Sequence, residues 1–106
     1  MIAVMCIVQE GQVSPEAEIG LKAQISRFTQ RAFAAPADID WIVVPSGNGF
    51  TAAEPSTAVI ASLHANRPLK QAERVALLKE LNEICITLTG CSANEVMTSI
   101  RNPKEA

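Results

Sequence analysis

The feature that most narrows what this chain can fold into is that its two halves repeat one pattern. Ala3-Val4 recurs as Ala58-Val59, and Ala17-Glu18 recurs as Ala72-Glu73, at one constant offset. A helical stripe recurs at an offset one residue longer: Leu21, Ile25, Phe28 and Ala32, then Leu77, Leu81, Ile84 and Leu88. The spacing i, i+4, i+7, i+11 puts the members of each stripe on one helix face. Such self-similarity marks a duplicated structural unit.

Each half reads strand, helix, strand. Ile2–Gln9 is almost continuously apolar, which predicts a strand covered on both faces. Ser14 is an N-cap, Pro15 suits the first helical position, and Glu16 and Glu18 favour the positive end of the helix dipole. This helix is predicted over residues 15–35, with Pro36 ending it. Residues 40–44 form the next strand. Residues 45–49 (PSGNG) are a breaker cluster and read as a flexible connection. They lack the lysine and the strand–turn–helix context of a phosphate-binding loop. Glu54-Pro55-Ser56 leads into a third strand at 57–63, which Asn66-Arg67-Pro68 breaks. A second helix is predicted over 70–89, with Gly90 as its stop. Ser92-Ala93-Asn94 is a turn, residues 95–100 are the fourth strand, and 102–106 are a polar, mobile tail.

A long helix between two strands is a right-handed crossover that leaves those strands parallel. Two units, at about 1–46 and 56–102, therefore predict one α/β domain over residues 1–106: a four-stranded mixed sheet with two helices on one face. Each helix carries one apolar stripe and so covers only that face. Strands one and three are apolar on the other face too, and another subunit is the expected cover.

Charge and cysteine content exclude several partners. Nine basic and eleven acidic residues are well mixed, giving a net charge of −2, and no Lys/Arg run invites nucleic acid or an anionic membrane. No apolar run has the length of a membrane span, and no basic segment precedes the first apolar stretch as in a signal peptide. The expectation is a cytoplasmic protein. Cys6, Cys85 and Cys91 are an odd set without CxxC spacing, which predicts reduced thiols. Cys6 and Cys85 read as core residues and Cys91 as a turn residue. With one histidine they make neither a metal site nor a thiol-nucleophile site, and no cofactor is implied.

With this duplicated architecture, several short motifs resemble the tautomerase superfamily, in particular its longer members. These are related to macrophage migration inhibitory factor and to the cis-3-chloroacrylic acid dehalogenase and malonate semialdehyde decarboxylase groups. Ser62-Leu63-His64 is similar to the end of strand three in the inhibitory-factor group. Asn66-Arg67-Pro68, followed by Glu73-Arg74, resembles the arginine-bearing start of the second helix in the other two groups. Glu54-Pro55 is also similar, at a different spacing to Ser62. The resemblance covers nearly the whole chain. It implies a homotrimer with sheets inward and helices outward, and an isomerase-type activity on a small enol or 2-oxo carboxylic acid.

The chemistry departs from the family pattern. An N-terminal proline whose amine serves as base is the family signature; here Ile2 stands in its place, and retention of Met1 is expected beside a large second residue. Ala35-Pro36 stand where the inhibitory-factor group has a lysine. Met97 and Ser99 correspond to its tyrosine and asparagine. Asp38 and Asp40 flank, at Ile39, the position of an acidic residue in the decarboxylase group. Arg67 is the clearest survivor, and the resemblance makes it the carboxylate-binding group. Ile2, His64, Asn66, Met97 and Ser99 complete the implied substrate-binding set. The replacement base is left among the Met1 amine, a water and an aspartate. His64 serves either as an acid–base group or as a packed strand-end residue, and Trp41 either packs or lines a pocket. A non-catalytic trimer that binds a small ligand or a protein partner is the alternative.

Overall fold

The computed structural model describes residues 1–45, 50–51, 54–55 and 58–103. Its elements are β1 (Ile2–Gln9), α1 (Pro15–Phe33), β2 (Ala37–Val44), β3 (Phe50–Thr51), β4 (Glu54–Pro55), β5 (Val59–His64), α2 (Gln71–Thr89) and β6 (Val96–Arg101). The main sheet has the order β2-β1-β5-β6. β1 runs parallel to β2 and β5 parallel to β6, while β1 and β5 meet antiparallel in the middle. The duplication is thus structural: two parallel β-α-β units back to back, each with a helix of 19 residues. The short β3–β4 ladder pairs Phe50 with Pro55 and Thr51 with Glu54, an element with no sequence precedent in the first half. Predicted positions 46–49, 56–57 and 104–106 lie outside the described residues.

The core lies between the helices and one sheet face. Ile2, Val4, Cys6 and Val8 of β1 and Val59, Ala61 and Leu63 of β5 are buried there. Leu21, Ile25 and Phe28 of α1 and Leu81 and Cys85 of α2 close on them at no measurable exposure. Leu77, Ile84 and Leu88 of the second stripe are half-buried against the same cluster. Trp41 packs there as well, and the Lys22 ammonium stands 5.2 Å from its ring centroid. Burial of this kind stabilises by roughly 25 cal/mol per Å² of apolar surface.

Capping follows the sequence at two of the four helix ends. Ser14 Oγ accepts from the Ala17 amide at 3.1 Å, with Pro15 behind it. Lys70 is the N-cap of α2 without a side-chain cap bond, and Gly90 ends that helix at φ 73, its amide donating to Ile86 O at 3.0 Å. The end of α1 departs from expectation. It stops at Phe33, and Ala34 takes the left-handed conformation at φ 53. Pro36 disfavours helical geometry at Ala35, so the turn must close one residue earlier, on a residue with a Cβ. A left-handed non-glycine residue costs about 1–2 kcal/mol. Ala34→Gly removes that cost but loosens the unfolded chain, so a net gain of about 0.5–1 kcal/mol is expected as a raised urea midpoint. An unchanged or lower midpoint would show that Ala34 carries no such strain.

Asn102, expected in the mobile tail, is held in place. Asn102 Oδ1 accepts from the Leu69 amide at 3.3 Å and from Arg74, and Arg74 Nε also donates to Ile100 O at 3.1 Å. These bonds latch the end of β6 to the start of α2. A residue type that reads as tail polarity is therefore a fixed joint.

The two buried thiols predict a weakness in alkali. Burial pushes Cys6 from the ordinary value of 9.0 up to about 11, with the Lys22 charge pulling slightly the other way. Burial pushes Cys85 up to about 12, aided by Cys6 and Cys91. Above pH 9.0 the unfolded chain releases thiol protons that the folded chain keeps. Stability from this source is intact below that pH and is lost as pH rises towards about 11–12. The urea midpoint should fall between about pH 8 and about pH 10.5, and a Cys6→Ala/Cys85→Ala chain should show a smaller fall. An equal fall in both chains would remove the thiols from the explanation.

Candidate active site

Among the described residues, no helix packs on the sheet face turned away from the core. Strand pairing arranges its side chains in rows. Ala3 pairs with Asp38 on one side, and His64 pairs with Arg101 on the other half of the sheet. The next row is Asp40, Met5, Ser62 and Ser99, and the one after it is Ile42, Ile7, Ile60 and Met97. The face is therefore polar at the end where β1 begins and apolar beyond it. Met5 is 37%, Ile42 36% and Met97 63% exposed.

At the polar end the face is hollow. A cleft of about 530 Å³ is lined by Ala3, Met5, Asp38, Asp40, Ser62, His64 and Arg101, among others. The hollow follows from residue size, since Ala3 fills little of the space between the longer side chains on either side. Its walls differ in charge, with two carboxylates on β2 and a guanidinium on β6. Arg101 Nη2 donates to Ser62 Oγ at 3.2 Å. His64 Nδ1 lies 3.2 Å from the carbonyl of Asn102, the joint fixed by Arg74.

The residues expected at the site divide between two places. His64 lines the cleft, and Ser99 and Met97 share its sheet face further along. Asp38 and Asp40 line its acidic wall. Met1 is 85% exposed ahead of the first strand. Ile2 is 1% exposed in the core, and its amide donates to Pro36 O at 2.8 Å. Asn66 Nδ2 donates to Phe33 O at 2.9 Å, closing the end of α1. Arg67 does related work. Its two terminal nitrogens donate to both carboxylate oxygens of Glu73 at 3.0 and 2.9 Å, and Nη2 also donates to Ala32 O at 3.1 Å. Its guanidinium carbon lies 5.7 Å from the Phe33 ring centroid. The bond to Glu73 raises the Arg67 pKa and lowers that of Glu73.

Arg101 is the residue that sequence reading missed. Its position is legible in retrospect, because Met97, Ser99 and Arg101 alternate along one strand and must share a face. The strand was expected to end at Ile100, one residue short of it.

A second cleft, of about 360 Å³, lies at the opposite end of β1, where Gln9, Gly11 and Gln12 meet Thr89, Gly90 and Cys91. Its charged lining residues, Glu10 and Glu95, are both acidic. Gln12 Nε2 donates to Cys91 Sγ at 3.2 Å across it. Among the described residues no group of His, Cys, Asp and Glu is placed to hold a metal ion, and no helix is long and apolar enough to cross a membrane.

Comparison with solved structures agrees with this architecture. Native Ps01740 superposes with a TM-score of 0.86 at 23% identity, covering 95% of this chain and 93% of that one. The wild-type symmetric trimer of a fused 4-OT gives 0.83 at 15% identity, covering 95% and 85%. N1, a member of the cis-3-chloroacrylic acid dehalogenase family, gives 0.79 at 12% identity, covering 95% and 74%. The chain thus has the tautomerase-like β-α-β fold that these proteins share. No family model matches the sequence, and no curated protein matches it.

Proposed function

We propose that this chain is a tautomerase-like isomerase that acts on a small enol or 2-oxo carboxylic acid in the cleft at the start of β1. The observation that carries the reading is the cleft itself: a hollow of small-molecule size that gathers Arg101, His64, Ser62, Asp38 and Asp40 at one end of the sheet. An anionic carboxylate is repelled by the β2 wall and attracted by the β6 wall, which orients it towards Arg101. The remainder of the ligand then lies over Ala3 and Met5. Arg67, which the resemblance makes the carboxylate-binding group, would have to leave Glu73 to take that part.

In this reading the chain works as a homotrimer. Trimeric fused 4-OT structures of the same fold support it, and so does the apolar row of Ile42, Ile7, Ile60 and Met97, exposed at Ile42 and Met97 and half-buried at Ile7 and Ile60, which a second sheet would cover. The burial of Ile2, whose amide is already bonded, favours the alternative of a non-catalytic trimer that binds a ligand or partner.

Titration with phenylpyruvate separates the roles of the two arginines. Arg101→Ala is expected to weaken binding by about tenfold or more, the worth of a lost charge-assisted bond. Arg67→Ala should keep the affinity and lower the melting temperature instead. Loss of binding in Arg67→Ala alone would return the carboxylate to Arg67, and absence of binding by the parent chain would count against a small-acid site.

A further inference from the structure

The cleft contains a base that could do the work of the missing N-terminal proline. We infer that His64 is the group that moves the proton in this cleft, with Arg101 beside it as the anion holder. The inference rests on the proposed small-acid reading and adds the identity of its acid–base residue.

Four observations on neighbouring strands converge on it. His64 is the single histidine of the chain, and it lines the cleft. Its Nδ1 faces the Asn102 carbonyl at 3.2 Å, an oxygen that can only accept. The proton of the neutral ring must then sit on Nδ1, which leaves Nε2 with a lone pair. The Asn102 joint is held from its other side by the Leu69 amide and Arg74, so the ring is steadied by a partner that is itself fixed. Finally, strand register puts Arg101 next to His64, so a carboxylate on the guanidinium brings its α-carbon and the adjoining enol within reach of the ring.

The proton balance needs no co-reactant. Nε2 accepts the proton of the enol hydroxyl as the carbon–oxygen double bond forms. The electron pair of the carbon–carbon double bond takes a proton back from the imidazolium at the adjacent carbon. The ring ends as it began, and the enol acid has become the 2-oxo acid. During the step Arg101 and Ser62 face the negative end of the substrate, and Asp38 and Asp40 line the opposite wall of the cleft.

The test is the rate of phenylenolpyruvate ketonisation by the full chain and by His64→Gln and His64→Ala, each checked for native circular dichroism. A general base contributes about 10²–10⁴-fold, so kcat should fall by at least about a hundredfold while KM changes by less than about threefold. Added imidazole should restore a substantial part of the rate to His64→Ala and none to Arg101→Ala. Full kcat in a folded His64→Gln chain, or no imidazole rescue, overturns the assignment while the small-acid reading stands. A parent chain that neither binds phenylpyruvate nor exceeds the buffer rate overturns both.

Discussion

Phe28→Ala should destabilise the chain by about 3–5 kcal/mol, the usual cost of emptying an aromatic site in a core. Phe28 has no measurable exposure, and its ring meets Phe33 edge-on at 6.3 Å and 87°. It stands on the inner face of α1 with Leu21 and Ile25, pressed against the buried side of β1. Two helices over one sheet face give this chain a single layer of core, so no second core compensates. Domains of this size have about 5–15 kcal/mol in total, and such a loss leaves part of the population unfolded near body temperature. Urea unfolding measures it directly. Leu77→Ala, at a half-buried position of the matching stripe, should cost clearly less. Equal losses at the two positions would contradict the burial difference between α1 and α2.

The second large effect concerns the open sheet face. Met97→Lys should leave the folded chain intact but dissociate the assembly. Met97 is 63% exposed on the edge strand β6, so a lysine there costs the isolated chain little. In an oligomer closed over the apolar row, the same ammonium would be buried without a partner, at a cost of several kcal/mol for each copy. A weakening of association beyond about a hundredfold is expected. Sedimentation should show the parent near three times the 11.3 kDa chain mass and Met97→Lys near one. A parent that sediments as a monomer would remove the proposed trimer, and an unaffected variant would move the interface away from β6.

Most of the fold was legible because it is written in local patterns. Two stripes of matching spacing, a Ser14-Pro15 start and a Gly90 stop are each physical requirements of a helix, and the structure meets them. The errors sit where local rules compete. Pro36 restricts the residue before it as well as itself, so α1 ended two residues earlier than the proline alone suggested. The β3–β4 ladder is two residues on each side, too short for any periodicity to register.

The site was less legible, and the reason is distance along the chain. Arg67 and Glu73 are six residues apart, across a loop and a helix start, and no helical or strand spacing announces such a pair. Arg101 reaches the cleft only because β6 lies parallel beside β5, a pairing between distant segments. Asn102 reads as tail, yet three contacts fix it: Leu69, Arg74 and His64. By contrast, Asp38 was singled out through the resemblance to the decarboxylase group and His64 as a strand-end residue, and both line one cleft, since strand ends gather at the edge of a sheet.

The central claim is turnover of a small enol acid in this cleft, and the ultraviolet-monitored ketonisation of phenylenolpyruvate tests it most directly. The account predicts a parent rate well above buffer and a loss of most of it in Arg101→Ala, because the guanidinium that orients the carboxylate is gone. A folded parent chain that runs no faster than buffer would contradict it.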